Sequence, residues 1–332
     1  MGYPLLTRRQ LMLTAVESVY ATDRQPSEAN SYQAIKLVDP FTIDLGQENV
    51  EFAGGNLSRG FGRPIGTVRP IGVTFRTYVQ GLDSGSYTNT AGAARKPPMG
   101  DLLRACGLLE SFVSSDENGR PRYTYVPAAE TTSDCALSII AHQDGYDHHI
   151  LGARGNVNLI FVAAVPVIAE FNFRGILSTE ASTTRGSAVG LPSATPPRWI
   201  GSGTIYIGSL SATVENLNFN TNNTLFEQRA SIAASGSGIV KVVITERAPG
   251  GSMDPEATTT TSFDFINVLR NSSGSVLRLQ VGLTQSNRFT FISSQAVLKN
   301  VGWGDKQGLS IFNTDYQLYE TGQNDEYALI FD

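Results

Sequence analysis

The feature that most constrains this chain is the alternation across residues 167–177, where Ala169, Phe171 and Phe173 share one parity and Glu170, Asn172 and Arg174 the other. A period of two places the first set on one face of a strand and the second on the opposite face. Buried parallel strands lack such a polar beat, so the pattern specifies an antiparallel sheet with one packed and one wet face. The surrounding stretch, residues 134–177, reads as four consecutive strands. Residues 136–142 and 146–153 form a hairpin about Gln143-Asp144-Gly145. Residues 156–162 set Val157, Leu159 and Phe161 on one side, and the alternating segment completes the set.

The same order of elements occurs twice. In the first half, residues 34–45 carry strand positions around a break at Pro40, and residues 49–52 read as a weak strand. A glycine-rich loop over residues 54–72 carries Arg59, Arg63 and Arg69 with no acidic residue, and residues 72–79 return as a strand. Pro97-Pro98 opens a helix bearing Met99, Leu102, Leu103 and Cys106, which Gly107 stops. In the second half, residues 204–218 and 239–246 read as strands, and Ser262 caps a helix with Phe265, Ile266 and Leu269. Four strands follow again, over residues 276–283, 288–293, 295–301 and 309–319. Internal duplication explains this order, with the proline-bearing residues 178–202 as a linker. Residues 6–20, ahead of both halves, read as a short helix or an extended arm.

Composition excludes several classes. Charged residues make up 17% of the chain against a typical quarter, and the 33 glycines favour turns and strands over helices. A net charge of -5 supplies no electrostatic footprint for gripping nucleic acid. Thr7-Arg8-Arg9 superficially matches a twin-arginine export signal, but Glu17 interrupts the apolar run, and no stretch reaches the ~20 apolar residues of a spanning helix. Cys106 and Cys135 read as small buried hydrophobes rather than a disulfide or a nucleophile. His142, Asp144, His148 and His149 cluster in sequence. They flank a turn, however, and the adjacent histidines face opposite sides of a strand, so no metal site and no cofactor is expected. Neither a nucleophile elbow nor a paired-carboxylate signature is present, and the chain does not read as an enzyme.

Several segments, taken in order, resemble the tail tube proteins of long-tailed bacteriophages in their duplicated form. They are Thr7-Arg8-Arg9, residues 17–23 with Pro26, residues 102–107, Asp144-Gly145, residues 152–157, residues 171–175, residues 304–308 and residues 324–326. Ala21 and the turn Ala163-Ala164-Val165-Pro166 depart from the glycines common at those places. The resemblance implies a mainly β chain of two tandem antiparallel β-sandwich or barrel domains, each with one short α-helix. Residues 1–33 would be an N-terminal arm, 34–177 the first domain, 178–202 the linker and 203–332 the second domain. It further implies a virion protein, assembled in the host cytoplasm, whose rings of three chains look six-fold and stack into a conduit for the genome. Its partners would be further copies of itself, a tape measure protein, and the terminator and distal tail proteins. DNA would pass through the lumen without specific binding, and no membrane would be involved. Arg59, Phe61, Arg63, Ile65 and Arg69 are the candidate contacts between rings, with Asp325 or Glu326 as acidic partners. A β-sandwich carbohydrate-binding or adhesion module is the alternative, for which Trp199 and Trp303 are the available indoles.

Overall fold

The computed structural model describes residues 10–22, 33–46, 48–50, 65–68, 70–82, 96–114, 121–129, 135–181, 196, 203–229, 239–282 and 287–332. Among the described residues the chain is mainly β, with two short helices. In order, the first part comprises β1 (Gln10–Val16), β2 (Gln33–Ile35), β3 (Thr42–Asp44), β4 (Glu48–Val50), β5 (Ile65–Val68) and β6 (Pro70–Tyr78). It continues with α1 (Gly100–Ala105), β7 (Leu108–Val113), β8 (Arg122–Pro127), β9 (Leu137–Gln143), β10 (Tyr146–Val162) and β11 (Ile168–Ala181). The second part comprises β12 (Gly203–Ile207), β13 (Leu210–Ser211), β14 (Val214–Asn220), β15 (Asn223–Arg229), β16 (Ile239–Arg247) and β17 (Gly250–Pro255). It ends with α2 (Phe265–Arg270), β18 (Gly274–Val281), β19 (Phe289–Lys306), β20 (Leu309–Leu318) and β21 (Ala328–Phe331).

Every ladder is antiparallel, and the ladders trace one circuit twice. In the first part the neighbours run β1, β9, β10, β11, β6 and then β3. The segment from β2 to β3 closes the circuit, because β2 pairs with β1 while Leu37 bridges Thr77 and β3 pairs with β6. In the second part the neighbours run β12, β18, β19, β20, β17 and then β14. Here β13 pairs with β12 and leads directly into β14. Each circuit therefore closes through one strand that bends from one sheet to the other, which removes an edge that would otherwise be open. Each also sends a hairpin aside, β4–β5 and β15–β16, and carries one helix, α1 ahead of β7 and α2 ahead of β18.

The strand expected at residues 167–177 is β11, and its alternation is real: Ala169, Phe171 and Phe173 are buried, and the two rings stack with Phe75 of β6. Both circuits drain into one hydrophobic core, bridged by Phe161 against Phe289 at 6.1 Å. Three expectations need correction. Residues 134–177 hold three strands rather than four, because residues 146–162 form the single strand β10 with register shifts near Gly152 instead of a break. Gly152 has φ +61, which absorbs the irregularity, and the Tyr20 ring packs where a side chain would sit. Residues 289–306 merge into the one strand β19 for the same reason, the register with β18 shifting between Ser293 and Ala296. The cap of α2 is Asp264, which accepts from the Asn267 N–H at 2.9 Å, not Ser262, whose hydroxyl meets Thr259. Within the segment read as an arm or helix, residues 10–16 are β1, a strand held between β2 and β9.

Candidate assembly interface

The two circuits meet along one ladder, and its origin is the unequal length of neighbouring strands. β9 covers β10 only as far as Ala153, so the rest of that edge would present unpaired N–H and C=O groups. β14 of the second circuit takes the vacant edge. Asn158 lies opposite Asn220, Leu159 opposite Phe219, Ile160 opposite Asn218, Phe161 opposite Leu217, and Val162 opposite Asn216. The pairing buries Leu159, Phe161, Leu217 and Phe219 on one face and sets the asparagines on the other. Beside the ladder, the Asn156 Oδ1 accepts from the Thr221 hydroxyl at 3.1 Å and from the Asn223 N–H at 2.5 Å. The Asn223 amide, itself buried, donates to the carbonyls of Cys106 at 2.8 Å and Gly155 at 2.9 Å.

The hairpin β15–β16 extends this junction. The Tyr20 hydroxyl donates to Gly152 O at 3.1 Å and accepts from the Val242 N–H at 2.6 Å. Arg154, almost fully buried, donates to Val242 O at 3.0 Å and lies over the Tyr20 ring. Burial is the main cause that raises the Tyr20 pKa, so the hydroxyl keeps its proton for the Gly152 bond. Below them the Glu17 carboxylate accepts from Ala21 N–H, Gly152 N–H and the Ser138 hydroxyl. The glutamate that interrupts the apolar run thus organises a buried turn. A second joint forms where β21 inserts between β19 and β8, with Tyr125 edge-on to Phe331 at 5.7 Å.

Across both circuits the strands β3, β6, β11, β10, β14, β17, β20 and β19 run side by side as one continuous sheet. The outer face of that sheet is lined by amides. Asn156, Asn158, Asn172 and Asn220 border one shallow depression, and Asn216, Asn218, Asn300 and Asn313 border the next. Among the charges there, Arg76 pairs with Glu170 at 2.5 Å and Lys306 with Asp254 at 3.1 Å, and Arg174 also borders the first depression. Burial opposes ionisation of Asp254, but bonds from the Asn216 N–H and side chain, from Lys306 and from the Glu215 N–H outweigh it and lower its pKa. The Asp254 carboxylate therefore fixes the irregular start of β14, where the register with β17 shifts.

Of the residues proposed as contacts between rings, Arg59, Phe61, Arg63 and Arg69 lie outside the described residues. Ile65 opens β5, its backbone opposite Val50. The acidic partners suggested for the loop are engaged within the chain. Glu326 is buried and bound by Arg247 at 2.8 Å, and Asp325 caps Thr321 and Gly322. The Arg247 guanidinium also reaches Asn324 and Ala128 O, tying the side hairpin to both parts of the chain. His142 pairs with Asp147 across the β9–β10 hairpin at 2.5 Å, and no group of three or more His, Cys, Asp or Glu among the described residues is placed to hold a metal. Cys106 and Cys135 are both buried free thiols whose pKa values burial raises. Among the described residues no helix is long and apolar enough to cross a membrane. The part of the interface that sequence reading missed is the junction itself. Its one sequence signal is the excess length of β10 beyond its hairpin partner.

The chain matches no protein-family model and no curated protein sequence.

Proposed function

We propose that this chain is a structural protein that assembles into stacked rings forming a phage tail tube. The observation that carries this reading is the continuous, amide-lined sheet face running across both circuits. A conduit for DNA needs a wall that hydrates well and does not hold phosphates, because each free cation facing the duplex adds a contact with its counterion-release term. Asparagine meets that need, being polar without charge, and two cations of this face, Arg76 and Lys306, are paired with carboxylates, which leaves Arg174 as a further cation there. The doubled circuit supports three chains per ring, each filling two similar positions, and closed rings leave no edge for uncontrolled pairing. Electron microscopy of the purified protein tests the reading: hollow tubes or rings are expected, and a protein that stays monomeric at all concentrations refutes it.

One observation favours the adhesion reading. Trp303 is 68% exposed, as a sugar-stacking indole would be. Its ring, however, packs on Phe312 at 4.7 Å at the end of a strand whose edge is unpaired among the described residues, a setting that suits a protein contact. Glycan-array binding by a monomeric protein would reverse the preference.

A further inference from the structure

The repeated circuit makes the internal junction a template for a contact between chains. β9 covers β10 as far as Ala153, and β18 covers β19 as far as Val297; both long strands then run equally far, to Val162 and Lys306. On β10 the remaining edge is taken by β14. On β19 the same edge has no ladder partner among the described residues. The strand equivalent to β14 in the first circuit is β3, which pairs with β6 on one side and has no ladder on the other among the described residues. The chain thus carries one ladder made and both halves of a second one open.

We propose that β3 of one copy adds to the open edge of β19 in a second copy, in the register β14 uses on β10. The register follows from matching positions. Asn156 faces Asn172, which faces Thr74, which faces Thr42; Asn300 faces Asp315, which faces Ser252, whose N–H donates to the Asn218 side chain. Thr42 therefore stands where Asn218 stands, and Asn218 pairs with Ile160, two residues short of the end of β10. Transposed to β19, Thr42 lies opposite Gly304, Ile43 opposite Trp303, and Asp44 opposite Gly302 of the neighbouring copy.

Burial supports the match independently. Leu159, the counterpart of Trp303, is fully buried under the internal ladder, whereas Trp303 is 68% exposed. Leu309 at the tip of the same hairpin is 63% exposed, and Leu45 just beyond β3 is 52% exposed. Each open edge thus carries exposed apolar side chains, and Trp303 lacks the cover that Leu159 has. Gly302 and Gly304 leave no side chains on the outer face beside the incoming strand, and strand addition supplies main-chain hydrogen bonds along it. Because the two edges differ, the contact is head-to-tail and propagates from copy to copy until a ring closes.

This inference rests on the self-assembly reading above and names its partner surface. The test is a disulfide trap in the full-length chain. Asp44→Cys with Gly302→Cys places two thiols directly opposite, within the Cα spacing a disulfide spans. At Gly302 an added Cβ meets only Asn313 O at 3.8 Å, so the substitution fits. Mild oxidation should link the double variant into closed oligomers on a non-reducing gel, each single variant giving at most dimers. Asp44→Cys with Leu309→Cys, out of register, should give at least ten-fold less product. Trp303→Glu, at a position exposed in the single chain, should leave circular dichroism unchanged and abolish the link. Absence of the link in the double variant, or equal linking out of register, overturns the proposed contact. Hollow tubes without the link would refute the contact and leave the conduit reading standing. The link in species that never form hollow tubes would support the contact and refute the conduit.

Discussion

Replacing Asn223 by alanine tests whether the two circuits are held together as described. Its amide is 8% exposed and donates to two carbonyls, Cys106 O and Gly155 O, at 2.8 and 2.9 Å. Alanine removes both donors and leaves room for no compensating partner of similar reach. A buried acceptor that loses its donor costs about 1–3 kcal/mol, so two such losses, partly relaxed, amount to about 2–4 kcal/mol. That is a fall of roughly 30- to 1,000-fold in the folding equilibrium constant. Urea unfolding followed by circular dichroism measures it, and a loosened junction should also split the transition, because the circuits no longer unfold together. Asn158→Ala, on the outer face of the same ladder, should stay within about 0.5 kcal/mol of the parent. If Asn223→Ala shifts stability by less than about 0.5 kcal/mol, the junction is not held by this side chain and the reasoning fails.

Other predictions follow from the same contacts. Asp254 has a lowered pKa, so its contribution is present above the ordinary carboxylate range and is lost as pH falls through its folded value; acid should weaken the parent below about pH 4, while Asp254→Asn should be less stable at neutral pH and flatter across that range by thermal melting. Gly251→Ala should destabilise by about 1–3 kcal/mol or prevent folding, since an added Cβ would lie 2.0 Å from Asn218 O across the β14–β17 ladder; near-parental stability in urea would show that the two strands can part without cost. Both thiols should resist an aromatic disulfide reagent at pH 8 in the native protein and react on unfolding, and rapid native labelling would contradict their burial. Asn172→Lys with Asn218→Lys should leave assembly intact and make the assembled protein retain duplex DNA at low salt, with affinity falling steeply as salt rises; no gain in DNA retention would place this face away from the lumen.

How far the sequence disclosed this structure depends on the range of the interactions involved. β11, β6 and β18 were legible because each buries one face, and a period of two records that directly in the side chains. The helix α1 was legible from its apolar spacing and from Gly107, which takes φ +83 where a side chain would be strained. The doubling was legible as order, though strand pairing was needed to reveal the circuit behind it. β7 and β8 pair with each other and were not read, and β8 is also held by β21, far along the chain. The bulges near Gly152 and between Ser293 and Ala296 looked like breaks, since a register shift and a turn leave similar local signals. The β10–β14 junction could not be read at all from local patterning. It exists because β10 outruns its hairpin partner β9, and nothing in a single strand states how much of its edge is covered.

The number of chains in a closed ring tests the central claim most directly, because in the proposed assembly each chain fills two of six similar positions. Native mass spectrometry of the smallest closed assembly, joined to symmetry analysis of its images, counts the chains. The account predicts three chains about a three-fold axis, with a six-fold appearance from six similar circuits. A ring of six full-length chains, or a two-fold dimer joined through identical surfaces, would contradict it.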